Sequence, residues 1–111
     1  MRVTDNRSLV LHHRPADAEA DTVAVPHGFV DSGISANAFA FALYLASFDD
    51  AEHLHPVLLM QGWGNAQGLK PWTVDAARRE LEERGHLIIA GDHWHLSLSG
   101  FNEAERDALT A

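Results

Sequence analysis

The chain has 111 residues, 46% of them apolar, a formal net charge of −8 and no cysteine. That length suits one domain with one core, burying roughly two-thirds of the surface that the unfolded chain exposes. The missing cysteines exclude disulfides, thiolate zinc sites and thiol catalysis.

No apolar run approaches the ~20 residues that span a bilayer. The opening Met1-Arg2-Val3-Thr4-Asp5 lacks the apolar region of a signal peptide, so a cytoplasmic protein with no membrane association is expected. The acidic excess has the wrong sign for general attraction to phosphates, so a nucleic-acid binder built on this chain must segregate its charge.

Ser8-Leu9-Val10-Leu11-His12 has the composition of a short strand, and the polar, acidic stretch 14–22 after it reads as a loop. Together they form an N-terminal extension over residues 1–24, with the main domain over 25–111. The valines and Pro26 of 23–30 suggest an extended approach to the first helix, for which Ser35 is a plausible cap. Residues 34–48 carry no charge, so that helix must be covered on more than one side. Ile34, Ala38, Phe41 and Leu45 form a stripe for the core. Phe39, Leu43 and Ala46 form a second stripe, a candidate homodimer interface unless the N-terminal segment covers it.

The next helix is expected over 51–62, with Leu54, Val57, Leu58 and Met60 inward and Pro56 near its first turn. Gly62, Gly64 and Gly68 then make the region up to Lys70 either a loop or a poorly formed continuation of that helix. Pro71 suits a first helical turn, Val74, Ala77 and Leu81 recur at helical spacing, and Gly85 supplies the stop. Trp72, Asp75, Arg79, Glu82 and Glu83 fall on the outer side of this amphipathic helix. Trp63 and Trp94 read as core residues, while Trp72 serves equally as a packing or a contact residue.

Beyond Gly85 the period changes to alternation. Leu87 and Ile89 share a face with Trp94, Leu96 and Leu98, and Gly91-Asp92 makes the turn. Ala90 then faces His93, Ile88 faces His95 and His86 faces Ser97 on the opposite, wetter side. Asn102 and Glu105 have capping-box spacing and open a short helix to about Ala108.

This order of turn, helix and hairpin is the second half of a winged helix-turn-helix, an α+β fold that is mostly helical, with a two-stranded wing. The run 68–74 with 81–88 resembles the recognition helix and wing of small bacterial winged-helix regulators, which read G-[LV]-x-x-x-T-V and then L-x-x-x-G-x-[LI]. The region 25–45 is similar to the first helix of winged-helix domains in phage and plasmid replication or regulatory proteins. Leu96-Ser97-Leu98-Ser99-Gly100 resembles the end of the wing in MarR-type regulators.

The resemblance covers about residues 25–100. It implies binding to double-stranded DNA and transcription regulation, with Lys70, Trp72, Thr73, Asp75, Arg78 and Arg79 as the DNA-contacting candidates. Between Ala66 and Arg79 three basic residues stand against Asp75 alone, and most acids lie elsewhere. Asp75 repels phosphate, although a carboxylate can accept from a cytosine amino group. Arg78 and Arg79 have Glu82 and Glu83 as helical neighbours with which they can simply pair.

A rival use of the same fold is protein docking, by an acidic domain that binds another regulator or mimics DNA. Eight histidines invite a metal. The pairs His93 with His95 and His53 with His55 fall short of the three or four ligands that zinc needs, and no metal or cofactor is expected. No nucleophile elbow, phosphate-binding glycine loop or HExxH helix is present, so enzymatic activity is not expected.

Overall fold

The computed structural model describes residues 7–13, 25–48 and 55–111. Among them the fold is α+β, with five helices and one small mixed sheet. The elements are β1 (Ser8–Leu11), α1 (His27–Val30), α2 (Ala36–Ala46), α3 (Pro56–Ala66), α4 (Pro71–Glu83), β2 (Leu87–Ala90), β3 (His93–Leu96) and α5 (Glu103–Thr110). The expected loop at 14–22, Leu54 and His53 lie outside the described residues.

The hairpin forms in the expected register, with Ile88 opposite His95 and Ala90 opposite His93 across the Gly91-Asp92 turn. It is not a free two-stranded wing. β1 lies along the other edge of β3 in parallel, pairing Leu9 with Trp94 and Leu11 with Leu96 and giving the sheet order β1-β3-β2. The pairing satisfies main-chain donors at both ends of β1, Ser8 N–H to the Asp92 carbonyl at 2.9 Å and His12 N–H to that of Leu96 at 2.8 Å.

One sheet face places Leu9, Leu87, Trp94 and Leu96 in the core with Ala38, Phe41, Leu45, Val74, Ala77 and Leu81 of the helices. Trp63 and Trp94 are both core residues, as expected, and Trp63 packs on Phe41 with ring centroids 5.2 Å apart. The second sheet face departs from expectation. His86, His95 and Ser97 are 7%, 8% and 1% exposed, not wet. Residues 12 and 13, Phe101 and α5 cover that face, which a two-stranded wing would leave open.

Local chemistry explains most helix ends. The Ser35 hydroxyl caps α2 by accepting from Ala38 N–H. α4 starts at Pro71 and closes with Gly85 at φ +79, where His86 N–H donates to the Leu81 carbonyl and Gly85 N–H to that of Glu82. Those are the two bonds of a Schellman motif. α5 opens on the capping box of Asn102 and Glu105.

Two stretches differ from their sequence reading. Residues 27–30 are one helical turn rather than extended, because Phe29 and Val30 N–H both reach the Pro26 carbonyl while Phe29 enters the core. α3 begins at Pro56 and runs through both glycines to Ala66. A Cβ on Gly64 would lie 2.5 Å from Val74 Cγ2, so this glycine allows α3 and α4 to approach closely. Leu58, expected inward, is 47% exposed.

The apolar stripe of α2 is divided. Ala38, Phe41 and Leu45 are fully buried, whereas Phe39, Leu43 and Ala46 are partly buried against the core. Phe39 is covered in part within the chain, stacked on Phe29 with centroids 5.0 Å apart.

Candidate nucleic-acid interface

The residues proposed from sequence lie on the first three turns of α4 and the residue before it. Lys70 is the cap position and is exposed, with its carbonyl accepting from Thr73 and Val74 N–H. Trp72 is 71% exposed, so it is a surface residue and not a packing one. Thr73 is half-buried. These three stand at the end of α4 that follows the turn from α3.

Asp75, Arg78 and Arg79 form one connected group. Arg78 donates through Nη2 and Nε to Asp75 Oδ1 at 2.7 and 3.1 Å and through Nη1 to Glu82 Oε2. Arg79 donates through Nε to Asp75 Oδ2 at 2.9 Å. The Arg78 hydrogen bond, with further help from Arg79, holds the Asp75 carboxyl below its ordinary range despite some desolvation. Two guanidinium groups therefore balance two carboxylates. Arg79 keeps its side chain outward, at 67% exposure, whereas that of Arg78 is at 21%.

A second polar cluster joins β1, β3 and α5. His12 Nε2 and His95 Nδ1 are 2.9 Å apart, and His93 Nδ1 is 2.9 Å from the Ser8 hydroxyl. His13, at φ +57, places Nδ1 2.6 Å from the Ser97 hydroxyl and Nε2 2.6 Å from Glu105 Oε2. The other Glu105 oxygen accepts from Asn102 N–H at 3.1 Å. That backbone bond, followed by the His13 bond, lowers the Glu105 carboxyl.

Hydroxyl, imidazole and carboxylate thus stand in series, but Ser97 is 1% exposed and also within hydrogen-bond distance of Ser99 Oγ and the Gly100 carbonyl. A buried hydroxyl so engaged serves as a tie between elements rather than as a nucleophile. No group of three or more His, Cys, Asp or Glu among the described residues is arranged to hold a metal ion. No described helix is long and apolar enough to cross a membrane.

Sequence reasoning found the α4 residues but not this cluster. Its partners are separated by more than 80 positions, as in His12 with His95, so no local spacing announces them. The local signals were the His12-His13 pair directly after a strand, the alternating His93 and His95 already noted, and a Glu105 already assigned to the capping box. No family model matches the chain, and neither do any of the curated proteins or solved structures compared with it.

Proposed function

We propose that this chain is a winged-helix DNA-binding protein that acts as a transcription regulator. In this reading α3 and α4 are the helix-turn-helix, α4 enters the major groove of double-stranded DNA, and the β2–β3 hairpin is the wing. The observation that carries it is the solvent face at the start of α4, where Lys70 and Trp72 project, with Arg79 two turns on. Thr73 and Arg78 complete the contact set.

Asp75 fits this role as an organiser. It fixes two guanidinium groups on the helix surface, which limits the side-chain entropy lost when either meets a phosphate or a guanine edge. Selection of bound fragments from random duplex DNA, followed by titration at several salt concentrations, tests the reading. Affinity that falls steeply with salt supports it, and no binding even at low salt overturns it.

The ion pairing itself favours a second reading. With Arg78 and Arg79 engaged by Asp75 and Glu82, the mid-section of α4 is close to neutral, and Trp72 is an apolar anchor of the kind that protein interfaces use. The same face then docks a protein partner. For the DNA-binding form, we propose a homodimer through the half-buried stripe of Phe39, Leu43 and Ala46 on α2, since paired domains read paired half-sites.

A further inference from the structure

At the far end of α4 from Trp72, an open cleft of about 470 Å³ lies between the helix C-terminus, the chain leaving β3 and the start of α5. His86, Arg84, Phe101, Asn102 and Glu105 are among its lining residues. None of the functional roles above uses it.

His86 is the informative group. It is 7% exposed, and its Nδ1 lies 3.1 Å from the Ser97 carbonyl oxygen. A carbonyl can only accept, so Nδ1 carries the proton and the neutral ring holds its lone pair on Nε2. No described residue donates to that nitrogen, and it is not among the sealed, unpartnered atoms of the interior. The ring is fixed edge-on to Phe29, with centroids 4.9 Å apart. Gly100, at φ +87, stands beside it, and a Cβ there would come within 3.7 Å of His86 Cε1. A buried, oriented imidazole thus borders the cleft with an acceptor that no described residue satisfies.

Arg84 supplies the complementary group. One of its N–H groups, on Nη1, donates to the Ser32 carbonyl at 2.9 Å, and the rest of its planar fork suits a carboxylate. The carboxylate in the cleft, that of Glu105, has its oxygens turned to Asn102 N–H and His13 Nε2. Phe101, half-buried, offers an apolar wall.

We propose that the cleft binds a small 2-hydroxy acid with an apolar substituent, its carboxylate on Arg84, its hydroxyl donating to His86 Nε2 and its substituent against Phe101. Mandelate is a suitable probe, and phenylacetate, which has the same skeleton without the hydroxyl, is its control. The chain is titrated with each at mildly alkaline pH, where imidazole is neutral, and the His86 ring nitrogens are followed by NMR.

Saturable movement of the His86 Nε2 resonance with mandelate is expected, with about tenfold weaker binding of phenylacetate and about tenfold weaker binding of mandelate to Arg84→Ala. Arg84→Lys, which keeps the charge without the fork, falls between. Arg84 is an exposed side chain, so circular dichroism of both variants should match the parent. Three results overturn the proposal: no saturable shift at His86, equal affinity for the two acids, or undiminished affinity in a folded Arg84→Ala.

Discussion

His12 Nε2 and His95 Nδ1 are 2.9 Å apart, and only one of the two can carry the proton between them. Both rings titrate below the ordinary histidine value of 6.5. Burial is the main cause for each, reinforced by His13 at His12 and by His12 and His93 at His95, with Glu105 opposing weakly at His12. The folded chain therefore binds these protons less readily than the unfolded one. Their contribution to stability is complete above pH 6.5 and is lost as pH falls from there through the lower folded values. Thermal melts should show Tm dropping over that interval, and His12→Gln, which can still bond His95, should flatten the drop. A Tm that is level or rising as the solution is acidified contradicts this account.

Gly62 and Gly64 should respond oppositely to alanine. Nothing lies within 4 Å of a Cβ at Gly62, so Gly62→Ala gains helix propensity and should stabilise by up to ~1 kcal/mol. At Gly64 the new methyl overlaps Val74, and the variant should lose about 1–3 kcal/mol of stability. Adding Val74→Ala to Gly64→Ala removes the overlap and should cost less than the two single changes summed. Urea denaturation of the four variants checks all three statements.

Leu81 is fully buried between α4 and the sheet. Leu81→Ala should cost about 2–5 kcal/mol, with Tm falling before any binding property changes at temperatures where the variant remains folded. A loss below ~1 kcal/mol means that the core closes around the site.

For the DNA reading, Arg78→Ala with Arg79→Ala should abolish or greatly weaken binding while leaving circular dichroism unchanged, since neither residue belongs to the apolar stripe. Removing both also leaves Asp75 without its two cations, so the Asp75 carboxyl should return toward its ordinary range. Unchanged affinity in a mobility-shift assay removes α4 from the groove.

The proposed dimer is tested by mass and by surface. Light scattering at micromolar concentration should give twice the 12.2 kDa chain mass, and Leu43→Asp should return a monomer. A monomeric parent ends the dimer proposal. A dimer that Leu43→Asp does not disturb moves the interface elsewhere.

What could be read from the sequence was set by neighbours in the chain. Ser35 as a cap, Gly85 as a stop, Gly91-Asp92 as a two-residue turn and the Asn102–Glu105 box each depend on a few adjacent residues, and each formed where expected. The extent of α3 was hidden because its glycines, on propensity alone, leave a loop and a poorly formed continuation of the helix equally open. Only the approach of Val74 explains why a glycine sits inside the helix. The burial of His86, His95 and Ser97 was hidden for the same reason, since alternation marks two faces but cannot say that residues 12 and 13 and α5 return to cover the second. Of the α4 candidates, sequence placed the residues but not the Asp75 bond network that joins Arg78 to Arg79.

The parallel docking of β1 also bears on how the chain is made. Ser8 meets His93, a residue 85 positions further on, so the strand waits for that much more of the chain to be made before its partner exists. Until then its backbone donors have only water, and β3, once formed with β2, presents a bare edge to any other extended segment. Pairing across such a distance slows folding, because loop closure must precede the contacts that reward it. A truncated chain without residues 8–11 should therefore be prone to edge-to-edge association, with β1 acting as the stopper that closes the finished sheet.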